Sequence, residues 1–354
     1  MPRAIVTGWG KCVPPGVLSN SDLEQVMDTT DEWIHTRSGI KERRVCHVET
    51  SDMAAVAGLQ AIAAAGLEPE DIDMLLVCTC TPDRLIPSAA AMVQAKIGAH
   101  NAGTMDINAA CTGFLYGLGT AMGMISAGVT SRVLVIGAEK LTAYLNLKER
   151  TTAVLFGDGA GAVVVESGGE ADEGILAMEL GSDGRLTQLL TVTHTGTEYP
   201  AETPPYPERT IWMEGREIFR NAVVKMGESA VNVLDQAGLG LQDVDLLIPH
   251  QANIRIIDAT AKRMGLSSDQ VYVNIASYGN TSAATIPIAL TEALEEGRVN
   301  AGDLIVFVAF GGGLTWGGAA VRWGQRTKPI EVSDAALPPS DKTGLELLAA
   351  RPRD

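Results

Sequence analysis

The chain reads as an α/β protein built from two similar halves, and two observations predict this. Continuous apolar runs at 74–77, 133–136, 163–165, 246–248 and 304–308 are separated by longer helical stretches. Continuous rather than alternating runs are what strands covered by helices on both faces look like. The second observation is a repeat. Ala65-Gly66-Leu67, followed by Asp71-Ile72-Asp73-Met74-Leu75-Leu76, returns 172 residues later as Ala237-Gly238-Leu239, followed by Asp243-Val244-Asp245-Leu246-Leu247-Ile248. Arg132-Val133-Leu134-Val135 is matched in turn by Asp303-Leu304-Ile305-Val306 at an offset of 171. Two ordered matches favour duplication over chance.

Composition agrees and excludes several function classes. At 354 residues, 46% hydrophobic and 20% charged, the chain is globular in composition and long enough for two or three compact units or one large α/β unit. Its formal net charge of −16, with no long Lys/Arg run, argues against a nucleic-acid partner. Cys12, Cys46, Cys78, Cys80 and Cys111 are an odd number at irregular spacing, which predicts no disulfide framework and a reducing, cytoplasmic setting. No metal site is expected: Cys78-x-Cys80 is tighter than zinc-ligand spacing, and Cys46-His47 has no partner cluster. The longest apolar stretch, 304–310, falls far short of the ~18 residues that span a membrane.

Along the chain, 4–8 reads as a strand rather than a signal peptide. Gly-Ala-rich strands at 159–165 and 316–323 close the halves, which are expected at 1–170 and 171–325. Between them, 191–209 is rich in Thr, Pro and Glu and predicts a surface loop. The segment 326–354 holds four prolines and only Leu345, Leu347 and Leu348 as an apolar cluster, so a partly disordered tail is expected.

Four places put reactive side chains between a strand and a helix, where α/β folds keep their sites. In Asn108-Ala109-Ala110-Cys111-Thr112-Gly113, small residues flank a cysteine ahead of a helix over 112–127. The positive end of that helix would lower the thiol pKa and favour a nucleophile, whereas a buried structural cysteine is the alternative. Pro249-His250-Gln251-Ala252-Asn253 ends a central strand where the other half has Cys78. Gly279-Asn280-Thr281-Ser282 leads into a helix through about 295, and Ser282 is readable simply as its N-cap. Phe310-Gly311-Gly312-Gly313 exposes backbone N–H groups suited to an oxyanion hole or only a chain reversal. Gly157-Asp158-Gly159-Ala160-Gly161 precedes a strand rather than opening a helix, so it predicts a packing corner and not a dinucleotide site.

Together, Ala109-Ala110-Cys111-Thr112-Gly113-Phe114, Pro249-His250-Gln251-Ala252-Asn253, Gly279-Asn280-Thr281-Ser282-Ala283 and Phe310-Gly311-Gly312-Gly313-Leu314-Thr315-Trp316-Gly317 resemble β-ketoacyl-acyl-carrier-protein synthase III of the thiolase superfamily. Asp31-Glu32-Trp33-Ile34 fits as well, and the likeness spans 5–323. It implies a thiolase-like duplicated five-layer α-β-α-β-α fold and a homodimer. It also implies a Cys111 nucleophile, a His250/Asn280 decarboxylation pair, and an oxyanion hole from the N–H groups of Cys111 and Gly312. Coenzyme A contacts fall on Trp33 and Arg150 around the adenine, with Thr29, Arg37, Gly215, Phe219, Ala252 and Asn253 along the channel. The carrier-protein contact falls on Arg255.

The implied reaction moves an acyl group from coenzyme A to Cys111, then condenses it with malonyl-carrier protein after loss of carbon dioxide. The coenzyme A thioester is a substrate, and no metal or redox cofactor is implied. An acidic carrier protein conflicts with a −16 enzyme unless the docking face is locally basic. The helix 253–264 offers one, with Ile254, Ile257, Ala261 and Met264 expected as its buried stripe and Arg255, Lys262 and Arg263 exposed. Ile86 stands where short-chain members carry Phe in an acyl pocket completed by the neighbouring subunit, which leaves primer length open and admits medium or branched chains. Two other readings stay open: acyl transfer to an alcohol or amine without decarboxylation, and a catalytically silent acyl-binding subunit.

Overall fold

A computed structural model describes residues 3–169, 172–192, 195–197 and 209–350. The first sheet is formed by β1 (Ala4–Cys12), β4 (Met74–Cys78), β5 (Gly103–Ile107), β6 (Arg132–Lys140) and β7 (Asp158–Ser167), in the order β1-β7-β6-β4-β5. The second holds β8 (Gly174–Ser182), β11 (Leu246–Pro249), β12 (Leu304–Gly311) and β13 (Thr315–Arg322), in the order β11-β12-β13-β8. Two short hairpins, β2 (Gly16–Ser19) with β3 (Glu42–Val45) and β9 (Leu190–Val192) with β10 (Ile211–Met213), lie outside them. The helices are α1 (Asn20–Glu24), α2 (Asp31–Ser38), α3 (Thr50–Ala65), α4 (Ala89–Ile97), α5 (Gly113–Ser126), α6 (Arg150–Ala153), α7 (Gly215–Ala237), α8 (Ile254–Met264), α9 (Ile275–Tyr278), α10 (Thr285–Glu295) and α11 (Gly344–Ala349).

The sheets correspond strand for strand. β4 pairs parallel with β6, which pairs antiparallel with β7, and β11, β12 and β13 repeat this. β5 has a remnant counterpart in a single parallel bridge between Leu247 and Val271. The ladders also correct the offset of the second strand. Met74 pairs with Val133 and Leu246 with Ile305, so one offset of 172 holds for both strands, rather than 171 for the second.

The repeated residues do repeated work. Gly66 and Gly238 end α3 and α7 in the left-handed region, at φ 70° and 71°, which glycine adopts without strain. Asp71 and Asp243 accept the N–H of Glu68 and Gly240 and close a tight turn. Asp73 and Asp245 accept the N–H of Arg132 and Leu304, both at 2.8 Å, and so align the next strand.

Three apolar clusters give five layers. α5 and α10 are enclosed between the two sheets with Phe114, Leu118, Leu290 and Phe307. α3 and α4 cover the outer face of the first sheet, and α7 and α8 that of the second. The architecture is the thiolase-like α-β-α-β-α fold.

Three expectations are corrected. On α8 the buried stripe is Ile256, Ile257, Thr260 and Met264, while Ile254 and Ala261 are half-buried. Thr191 and Val192 belong to β9, so the expected loop is shorter at its start; most of 191–209 lies outside the described residues. The tail packs in order as far as 350. Arg326 donates to Thr7 O and Ala65 O, Ile330 N–H to Ala64 O, and His47 Nε2 to Pro338 O. Helix α11, opened by a Thr343/Glu346 capping box, buries Leu347 and Leu348 against Leu18, Leu23, Ile34 and Val45. Ile34 belongs to α2, so the tail braces the helix that carries Trp33. Leu348→Ala is expected to cost about 2–5 kcal/mol, read as a lower thermal midpoint; an unchanged midpoint means that α11 contributes nothing to the fold.

Candidate active site

Cys111, His250 and Asn280 line one cavity of about 580 Å³, within the size range of small-molecule sites. Each is fixed by strand-to-helix geometry. Cys111 sits in a 3-10 turn, Ala110–Thr112, that runs into α5. His250 extends β11 by giving its N–H to Val308 O at 2.8 Å. Asn280 is locked on both sides, its N–H to Leu155 O at 2.8 Å and its O accepting from Gly157 N at 3.0 Å. A Cβ on Gly157 would lie 2.5 Å from Tyr278 O, so the glycine run at 157–161 is a packing corner that seats Asn280.

The turns carrying Cys111 and Asn280 are two copies of one motif, which the sequence reading missed. At the offset of 172, Asn108 corresponds to Asn280, Ala110 to Ser282 and Cys111 to Ala283. Asn108 Oδ1 accepts the N–H of Ala110 at 3.3 Å, and Asn280 Oδ1 that of Ser282 at 2.8 Å. Ala110 and Ser282 both hold φ in the left-handed region, at 47° and 52°. Ser282 therefore shapes the turn rather than capping α10 as an ordinary N-cap. Continuing the repeat past the strands is the signal that finds this pair. With its oxygen occupied, Asn280 turns its Nδ2 donors elsewhere, and it lines the cavity.

Charges at the site differ from the expected thiolate. Burial pushes the Cys111 thiol up to about 11, outweighing the contacts that favour its ionisation. Burial pushes His250 down to about 3, so its imidazole is neutral. At rest the pair is a thiol and a neutral imidazole. His250 Nδ1 lies 2.7 Å from Thr285 Oγ1, which also reaches Ser282 O at 3.0 Å. The hydroxyl has one proton for two acceptors. Turned to Nδ1, it fixes the tautomer with Nε2–H as a donor; turned to Ser282 O, it requires Nδ1–H.

A neutral buried histidine also ties stability to pH. With its folded value near 3 against about 6.5 when exposed, His250 contributes stability above pH 6.5 that is lost as pH falls toward 3. The thermal midpoint of His250→Asn is expected to fall less steeply than that of the parent between pH 6.5 and 4. Parallel curves would show that His250 is not buried neutral.

The other expected contacts divide into two groups. Trp33, Arg37, Gly215, Phe219, Ala252, Asn253 and Arg255 line the same cavity. Thr30 caps α2 by accepting Trp33 N–H at 3.1 Å, and the guanidinium carbons of Arg37 and Arg150 each lie 4.7 Å from the centroid of the Trp33 ring. Arg150 is held by Asp28 O at 2.5 Å. Thr29, beside it in the chain, buries a hydroxyl with no hydrogen-bond partner. Gly311 rather than Gly312 is the glycine on the cavity wall, and a Cβ there would lie 2.7 Å from Cys111 N. Ile86 stands outside the cavity, 83% exposed, and Lys262 and Arg263 are exposed toward the far end of α8. Ile218, Met226 and Phe310 complete an apolar wall. Among the described residues no group of three or more His, Cys, Asp or Glu could hold a metal ion, and no helix is long and apolar enough to cross a membrane.

Comparison with known proteins converges on one family. Models of 3-oxoacyl-[acyl-carrier-protein] synthase III and of its C-terminal part match residues 105–184 and 234–323. A beta-ketoacyl-[acyl-carrier-protein] synthase III 2 of Vibrio vulnificus (strain YJ016) is 50% identical over 345 residues, 98% of this chain and 95% of that protein. A beta-ketoacyl-[acyl-carrier-protein] synthase III of Geobacillus kaustophilus (strain HTA426) is 51% identical over 322 residues, 90% of this chain and 99% of that one. The crystal structure of the Aquifex aeolicus VF5 synthase superposes with a TM-score of 0.85 at 45% identity, covering 90% of this chain and all of that one. With this fold, these motifs and these relatives, the chain belongs to the 3-oxoacyl-[acyl-carrier-protein] synthase III family, a group of acyl-transferring condensing enzymes.

Proposed function

We propose that the protein joins an acyl group from acyl-coenzyme A to malonyl-carrier protein, giving a 3-oxoacyl-carrier protein, carbon dioxide and coenzyme A. The observation that carries this reading is the convergence of Cys111, His250 and Asn280 on one largely apolar cavity. Exchange of one thioester for another is nearly isoenergetic, so the first step needs a sulfur nucleophile and donors for the oxyanion. Cys111 is the nucleophile, and the backbone N–H groups of Cys111 and Gly312 are read as the donors to the oxyanion. In the second step, loss of carbon dioxide from the malonyl thioester leaves enolate charge on the thioester oxygen. His250 Nε2–H and Asn280 Nδ2 are neutral donors suited to that charge, and the enolate carbon attacks the acyl-cysteine. Neither step calls for a metal or a redox group.

Coenzyme A is assigned to the mouth of the cavity, with its adenine at Trp33 and Arg150 and its chain past Thr29, Arg37, Gly215, Phe219, Ala252 and Asn253. We read 1–170 and 171–325 as the two copies of the repeated unit. The protein is taken to act in the cytoplasm as a homodimer. Five free thiols fit the former, and an exposed Leu85-Ile86 at a partner's acyl pocket fits the latter. The carrier protein docks on α8 at Arg255, Lys262 and Arg263. Arg255 lines the cavity mouth and donates to Thr36 O at 2.9 Å, which joins α8 to α2. Arg255→Glu is expected to lower kcat/KM for malonyl-carrier protein by about tenfold or more while sparing acylation by acyl-coenzyme A. Equal loss in both steps sinks the docking assignment.

The deciding experiment incubates the enzyme with a panel of acyl-coenzyme A thioesters, finds by mass spectrometry which of them acylate Cys111, and then adds malonyl-carrier protein. Release of carbon dioxide with a 3-oxoacyl product supports condensation. Acyl transfer to an alcohol or amine without carbon dioxide overturns it.

A further inference from the structure

Glu139, near the end of β6, is fully buried beside the catalytic turn, and the chemistry above leaves it without a role. Five neutral donors converge on its carboxylate: Thr79 Oγ1 at 3.2 Å, Thr81 Oγ1 at 2.5 Å, Cys80 N at 3.2 Å, Cys80 Sγ at 3.3 Å and Ser282 Oγ at 3.0 Å. The Ser282 hydroxyl favours ionisation of the Cys111 thiol, and the two turns pack together, since a Cβ on Gly113 would lie 3.4 Å from Ala283 Cβ. The internal repeat shows what is unusual here. At the offset of 172, Glu139 corresponds to Gly311. Gly311 packs its backbone directly against Cys111, with no room for a Cβ, whereas Glu139 places a carboxylate beside the turn at Ser282. Ser282 meanwhile adjoins the whole catalytic set: its N–H goes to Asn280, its hydroxyl to Glu139, and its O lies 3.0 Å from the Thr285 hydroxyl that neighbours His250 Nδ1.

We propose that the Ser282 hydroxyl and Glu139 take up the Cys111 proton as acyl-coenzyme A reacts. This rests on Cys111 being the acylated residue. The Sγ–H bond breaks and its proton passes to Ser282 Oγ, while the Ser282 Oγ–H proton passes to Glu139 Oε1. The electron pair stays on sulfur and attacks the thioester carbonyl. When the C–S bond to coenzyme A breaks, that sulfur leaves with the electron pair and the proton returns from Glu139 through the same hydroxyl. The site thus carries one negative charge throughout, moved from carboxylate to sulfur, where a thiolate beside an ionised Glu139 would place two buried charges together. Such a route also frees His250. Held with Nε2–H for decarboxylation, it has no lone pair there to receive the thiol proton. Burial raises Glu139 above the usual carboxylate range, which makes it a stronger base than an exposed glutamate. The titratable groups around it are Cys78 and Cys80 from the β4 side, Cys111, and Tyr144 after β6, with Arg209 acting on Tyr144.

The test is single-turnover acylation of Cys111 by acetyl- and octanoyl-coenzyme A, quenched and read by intact mass from pH 5 to 10, in the full-length enzyme. With the relay, the parent rate levels off near neutral pH. Glu139→Gln and Ser282→Ala lower it by about 10²–10⁴ at pH 7, and their rates climb about tenfold per pH unit through the alkaline range as the thiol itself ionises. Ser282→Ala guards against misfolding, because the equivalent Ala110 already holds the same backbone conformation. Variants that acylate at the parent rate or faster at pH 7, with an unchanged profile, overturn the proposal and leave Glu139 as a charge that only raises the thiol. A parent enzyme that acylates with neither thioester, nor with any other of the panel, overturns the Cys111 reading instead.

Discussion

Cys111→Ala is expected to abolish acyl-enzyme formation and to lower condensation on the order of 10⁴-fold or more, as loss of a covalent nucleophile does. The fold should tolerate the change, because the substitution removes one sulfur from a turn whose copy in the other half already has Ala283 at that position. A thermal midpoint within a few degrees of the parent then assigns the loss to chemistry. Peptide mapping is needed beside intact mass, since Cys80 also approaches Ser282 and donates to Glu139. An acyl adduct of parental yield on Cys80 in the alanine variant, or in the parent, would move the nucleophile there. Burial and Glu139 hold the Cys80 thiol well above its ordinary value, and it is not on the cavity wall, so Cys111 is the expected site.

What the sequence disclosed and what it hid follow from which interactions leave a residue signature. The duplication is legible because its markers do backbone work that few residues can do: Gly66 and Gly238 in left-handed caps, Asp73 and Asp245 on the strand ends. The duplicated catalytic turn shares only a backbone path and Asn108 with Asn280. The substrate side demanded Cys111 and Gly113 in one copy, but Ala283 and Thr285 in the other, and this masks the likeness. Packing is hidden for a different reason. The tail attaches largely through main-chain acceptors such as Ala64 O and Thr7 O, which any sequence supplies, with two leucines as its apolar anchor. Burial itself is not written beside a residue. The helix end suggested an ionised Cys111, but the desolvation that keeps it a thiol comes from distant segments. Nothing next to Glu139 marks it as enclosed by residues 79–81 and 282.

Asn280→Asp separates the two half-reactions. The aspartate has nearly the same shape, and one carboxylate oxygen can keep the N–H of Ser282, now held by Asn280 Oδ1 at 2.8 Å. The turn, the main-chain bonds to 155–157 and the position of Cys111 are therefore preserved, and acylation of Cys111 is expected within about threefold of the parent. What changes is the group facing the malonyl thioester. A neutral Nδ2 donor becomes an oxygen bearing negative charge, so the enolate loses a donor and gains a repulsive neighbour. Loss of one oxyanion donor costs about 10²–10³ in rate, and like charges in a water-poor cavity add to it. Condensation should fall by more than 10³, and by more than in Asn280→Ala, which only removes the donor. Carbon dioxide release from malonyl-carrier protein, measured on enzyme already acylated at Cys111, checks this. An aspartate variant that decarboxylates as well as the alanine variant would mean that Asn280 Nδ2 does not face the enolate oxygen. Equal loss of acylation in both would make Asn280 a support of the Cys111 turn instead.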